Sequence, residues 1–264
     1  MIEPLPALEA PDAEPSPYAR HLPRDAALSW LKAGLADFLA RPGLSLAYGG
    51  AIFLLSVVVL GGLWRLGFHY MVFPALAGFL LVGPLLAIGL YEKSARLAAG
   101  EPVSLRDMLL VRPRSGGQVA FAGAILCLLA ALWLRTADLL YALFFGMLPF
   151  RGFDEILHSL LATPRGWALI VTGALIGGLF AAFALAISMF SFPMLVERRA
   201  DALTAFGVSF ALTNKNLVAV LPWGLVVVVG FLLCLTTALL GLIVVFPILG
   251  HGAWHAWRAM RPDA

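Results

Sequence analysis

Long uncharged runs alternate with short charged links along this chain, and the run lengths set its architecture. An apolar helix needs about 20 residues to cross a hydrocarbon core of about 30 Å. Between Arg41 and Arg65 lie 23 uncharged residues, and between Arg65 and Glu92 lie 26. Each predicts one membrane span, at 45–64 and 70–90, and the short link between them makes a tight antiparallel hairpin. A third span is predicted at 118–134. Arg135 and Asp138 follow it near the far interface, so residues 139–150 lie along that interface or extend the helix. The 31 uncharged residues 166–196 predict one tilted or overhanging span at 167–195. The last run, 216–257, holds 42 uncharged residues. As one helix it would measure about 63 Å, twice the core thickness, so it must fold back. A break near 236–241 gives spans at 217–235 and 240–257. The expected fold is an all-α membrane protein with six transmembrane helices in three hairpins, one domain over residues 26–260.

The links carry a second pattern. Residues 26–40 place Trp30, Leu31, Leu35, Phe38 and Leu39 on one side, with Lys32 and Asp37 away from it. Ser104 and Asp107 stand at capping-box spacing. Residues 201–212 set Leu203, Phe206, Phe210 and Leu212 against Asp201, Thr204 and Ser209. Each segment precedes an odd-numbered span and is expected to be a cytoplasmic amphipathic helix in the membrane interface. The order of interfacial helix, span, turn and span then occurs three times, as a repeat or as the habit of cytoplasmic loops of this length. Residues 1–25 hold six of the 17 prolines and five of the 15 acidic residues, which predicts a flexible cytoplasmic tail.

Composition agrees with a membrane chain. Of 264 residues, 61% are hydrophobic and 12% charged, with a mean hydropathy of +0.93. A soluble domain carries about 25% charge, so an ordinary soluble enzyme is excluded. Two cysteines exclude a disulfide scaffold. The net charge of +3 does not indicate nucleic acid, because the basic residues lie between apolar runs. With both termini cytoplasmic, inside segments carry 14 Lys and Arg while the outside links carry four, Arg65, Arg135, Arg151 and Arg165. That asymmetry favours both ends on the cytoplasmic side. The lipid bilayer is the expected partner, with other membrane proteins or a further copy of the chain beside it.

Few residues offer chemistry. Gly83-Pro84 falls within the second span and breaks its hydrogen-bond ladder; Pro247 and Gly250 do the same in the sixth. Such breaks shape packing or bind a transported solute. Gly173 and Gly177 stand at the spacing that lets helices approach closely. Arg135 and Asp138 can pair on one helix face. His251 and His255 are one turn apart, a metal-ligand spacing, but no third ligand accompanies them. Glu92 and Glu197 end even-numbered spans beside basic residues and read as topology anchors. No charge falls mid-span, and no catalytic motif, cofactor site or metal set is expected.

Residues 77–94 (AGFLLVGPLLAIGLYEKS) and 247–258 (PILGHGAWHAWR) resemble the bacterial predicted integral membrane proteins of domain-of-unknown-function family 2189. The stretch from Trp30 to Gly49, with Gly34, Asp37, Phe38, Pro42 and Tyr48, is similar too. Trp257 stands where that pattern has tyrosine. The resemblance spans about residues 26–260 and implies no established activity. Some members carry a cytochrome c oxidase label. Five histidines, none central in a span, cannot build such a catalytic core. Three roles are weighed: a non-enzymatic scaffold or accessory of a membrane complex, a small-solute or lipid transporter, and an accessory of a respiratory oxidase.

Overall fold

The computed structural model describes residues 16–146 and 153–261. In chain order its helices are α1 (Ala26–Ala40), α2 (Pro42–Arg65), α3 (Val72–Leu86), α4 (Ile88–Ala99), α5 (Leu105–Leu109), α6 (Gly116–Phe145) and α7 (Phe153–Ala162). They continue as α8 (Pro164–Ser188), α9 (Ser191–Glu197), α10 (Ala202–Lys215), α11 (Leu217–Thr236) and α12 (Val245–Met260), with 3-10 turns at His69–Met71 and Leu240–Ile243. No strand occurs among the described residues. Residues 1–15 of the expected tail and 147–152 of the third link lie outside them.

Among the described residues five apolar helical stretches are long enough to cross a membrane: Pro42–Arg65, His69–Ala99, Gly116–Phe145, Pro164–Glu197 and Leu217–Thr236. Their sides expose Leu54, Val58, Leu128, Leu175, Leu179 and Leu225, the surface that bilayer lipid would cover. The expected fold-back appears after Thr236. Ala238 and Leu239 take positive φ values of 50° and 69°, a conformation that costs a non-glycine residue roughly 1–2 kcal/mol. Hydrogen bonds from Leu239 N–H to the Cys234 carbonyl (2.7 Å) and from Gly241 N–H to Thr237 Oγ1 (2.9 Å) offset that strain. The chain then returns through a 3-10 turn into α12, which has 16 residues.

Local chemistry sets the helix starts. Pro42 and Pro164 open α2 and α8, where proline's missing N–H costs nothing. Ser104 and Asp107 form the expected capping box, and Asp201 accepts the Thr204 N–H at 2.8 Å to cap α10. Two spans are interrupted near one end, and each gap is patched by a hydroxyl from another helix. At the α3–α4 junction, Tyr48 Oη donates to the Leu86 carbonyl (2.8 Å) and accepts from Gly89 N–H (3.3 Å). At the α8–α9 junction, Ser209 Oγ donates to the Ala186 carbonyl (2.8 Å) and accepts from Phe190 N–H (3.2 Å).

The short segments α4, α9 and α12 touch one another pairwise, and each carries one outer helix: α5 lies on α4, α10 on α9 and α1 on α12. Each unit's leading helix thus seats on the inner segment of the preceding unit, in cyclic order. These contacts close a ring of three inner segments, each with one outer helix. α1 docks through Trp30, Gly34 and Phe38, all buried, while Leu35 and Leu39 are exposed. A Cβ on Gly34 would stand 2.5 Å from the Ile248 carbonyl oxygen. The smallest residue sets the contact, as is usual where helices associate in lipid, and the leucine stripe faces outward. Residues 16–25, expected within the flexible tail, are docked as well. Asn216 accepts from Arg20 N–H (2.8 Å) and donates to the Tyr18 carbonyl (2.7 Å).

Candidate functional site: a buried polar cluster at the helix junction

Where α1, α2, α4 and α12 meet, polar side chains are shut away from solvent. Lys93, Ser45, Ser94 and His251 are all fully buried. Lys93 reaches back to the C-terminal end of α1, whose last carbonyls have no intrahelical partners. Its ammonium donates to the Asp37 carbonyl (2.9 Å), the Arg41 carbonyl (3.2 Å) and Ser45 Oγ (2.7 Å). All three ammonium hydrogens are used, and the cation sits at the negative end of the α1 dipole.

The chain of bonds continues from Ser45. Its oxygen accepts from Lys93, so its hydroxyl hydrogen is directed to His251 Nε2 at 3.0 Å. His251 Nδ1 faces the Leu90 carbonyl (3.2 Å) and Ser94 Oγ (2.8 Å). A carbonyl only accepts, so the ring proton is assigned to Nδ1. His255, one turn on, holds Asp37 Oδ2 at 2.9 Å. Burial pushes the Asp37 carboxyl upward. Hydrogen bonds from His255 and Ser94 outweigh it and hold the group below its usual 3.8. The two histidines therefore do not form a metal pair: His251 has both ring nitrogens occupied, and His255 Nε2 is bound to a carboxylate. Among the described residues no three His, Cys, Asp or Glu side chains gather as a metal site.

A second cluster ties α9 to α12. Glu197 accepts from the indoles of Trp254 and Trp257, each at 2.9 Å. Arg258 lies 5.1 Å above the Trp254 ring and Arg198 5.8 Å above Trp257, within cation–π range. Read from sequence as an anchor, Glu197 is the acceptor at the centre of an aromatic clamp.

The other singled-out residues separate. Gly83, Pro84 and Gly250 line one apolar cavity of about 90 Å³, together with Tyr91 and Trp223. Pro247 is buried in α12. Gly250 also leaves room for the Leu90 side chain. Gly173 and Gly177 do not share a helix contact. A Cβ on Gly177 would meet the Trp133 ring at 2.8 Å, while one on Gly173 would meet nothing within 4 Å. Arg135 and Asp138 pair at 3.8 Å. Lys93, Asp37, Ser45 and Ser94 were not singled out as a site. The available signal was that Lys93-Ser94 and His251 fall inside the two long motifs.

No curated protein and no solved structure matches the chain. The family match covers the 77–94 motif, and the stretches 30–49 and 247–258 lie outside it. Residues 72–197 match the model of the family described as predicted integral membrane protein (DUF2189), a family of unknown function.

Proposed function

We propose that the chain is a six-span protein of the bacterial inner membrane with both termini cytoplasmic, acting as a non-enzymatic scaffold or accessory of a membrane complex. The observation that carries this reading is how the interior polar groups are used. Lys93, His251, Ser45 and Asp37 are bonded to one another and to helix ends of the same chain. The two cavities bordered by Phe79 are walled mainly by apolar side chains. A carrier of polar solutes needs unsatisfied polar groups facing an accessible cavity at mid-depth. The sixth span is α12 with its preceding 3-10 turn, and the cation asymmetry supports the orientation.

The test is purification of the tagged chain from its native membrane in mild detergent. A stoichiometric co-purifying membrane protein is expected, lost when the chain's exposed apolar face is made polar. A chain that purifies alone and moves a solute across proteoliposomes would overturn the scaffold. A reporter fused after Arg258 and active only in the periplasm would overturn the topology. One observation favours a second reading, a carrier of lipid or apolar solute: the Gly83-Pro84 break and Gly250 border the same cavity.

A further inference from the structure

The largest cavity described lies at the end of the bundle opposite the polar cluster. It has a volume of about 430 Å³ and is walled by the starts of α3 and α8, the later part of α6, and α7. Trp133 fixes its inner end. The indole donates to the Pro74 carbonyl (2.9 Å), pinning α6 to α3, and its ring rests on Gly177. Leu157 and Leu161 of α7 line it, and Gly173 leaves space in the α8 wall. Among the described residues one carboxylate, Asp138, lines this apolar space. Among the described residues its one ion-pair partner is Arg135, at 3.8 Å and largely exposed.

Asp138 keeps 39% of its side chain exposed and its long pair is to an arginine 77% exposed, so both charges stay open to a headgroup at the edge of the chamber. An apolar chamber with opposite charges side by side at its edge matches an amphiphile bearing both charges on its head. We propose that this chamber holds one bilayer phospholipid of the phosphoethanolamine class. The acyl chain lies between Trp133, Leu161 and Gly173. The primary ammonium donates to Asp138, and the phosphate faces Arg135. A choline head, whose nitrogen has no N–H, cannot donate to the carboxylate. A glycerol head brings no cation. The proposal does not depend on the scaffold reading or on which side of the membrane the chamber faces.

The full chain, purified in mild detergent, is equilibrated with equal amounts of phosphatidylethanolamine, phosphatidylcholine and phosphatidylglycerol of identical acyl chains. Retained lipid is read by native mass spectrometry. One bound phosphatidylethanolamine is expected, favoured about tenfold over the others, the worth of one charge-assisted hydrogen bond. Asp138→Asn should keep a bound lipid and lose the preference. Gly173→Phe should fill the chamber and lose the lipid altogether. Equal retention of the three lipids by the natural chain, a preference that survives Asp138→Asn, or a folded Gly173→Phe variant that retains its lipid would each overturn the proposal. If Gly173→Phe does not fold, the Asp138→Asn comparison decides alone.

Discussion

The ammonium of Lys93 lies 2.9 Å from the backbone carbonyl of Asp37 and closes the C-terminal end of α1 from 56 residues away. A charge that would be expensive inside a helical bundle is accommodated because the end of another helix supplies its acceptors. Lys93→Met should therefore strand the carbonyls of Asp37 and Arg41 and the Ser45 hydroxyl. The expected loss is roughly 3 kcal/mol, as for a broken buried charged network. Thermal unfolding in detergent reads it, and Ser45→Ala added to Lys93→Met should cost much less than the two losses summed.

Gly34 makes the seat of α1 testable by size alone. Gly34→Ala places a methyl against the Ile248 carbonyl and the Gly252 backbone, and overpacking of this kind costs about 1–3 kcal/mol. Gly50→Ala, with nothing within 4 Å of the new methyl, should be neutral or slightly stabilising. Limited proteolysis between residues 16 and 41 should accelerate in the first variant only.

Acid should release the α1–α12 contact through Asp37. Its folded carboxyl titrates below 3.8 because His255 and Ser94 hold the charged form against the opposing effect of burial. A carboxyl lowered on folding contributes stability that is complete above its unfolded value and is lost as pH falls through the folded one. Melting temperature should thus drop as pH falls below about 4. Asp37→Asn should flatten that part of the profile and start from a lower plateau.

Pro84 lies inside α3, a few residues before its junction with α4. Pro84→Ala should change stability little, because neighbouring groups in a bundle re-satisfy the carbonyl a proline frees. Tyr48→Phe removes two hydrogen bonds at that junction and should cost about 1–2 kcal/mol. In a deletion strain with a scorable phenotype, complementation by Pro84→Ala should follow protein level. A variant present at normal level that fails to complement would favour the carrier reading.

The first, second and fourth spans were legible as uncharged runs bounded by charge, and the fold-back because 42 uncharged residues exceed one bilayer crossing. The ring was legible only as a repeated order of elements. The face α1 buries was legible in part. Trp30 and Phe38 of the expected apolar side are buried, but Leu35 and Leu39 are exposed, and Gly34 decides the contact instead. Lys93 read only as the basic neighbour of Glu92, and Glu197 as a topology anchor, because a charge at a span end is ordinarily that. Their partners lie on α1 and α12, and no local spacing announces a contact across such distances.

The cyclic seating of α1 on α12 bears on how the molecule is assembled. Among these helices the earliest to emerge from the ribosome rests on the latest, so the Trp30–Gly34–Phe38 surface has no seat while the intervening spans enter the bilayer. Closure is then a single late event that brings together Gly34 and Gly252, Asp37 and His255, and Arg20 and the Met260 carbonyl. A chain ending between Thr236 and Val245 would carry the five long apolar helical stretches and lack the α12 seat of α1.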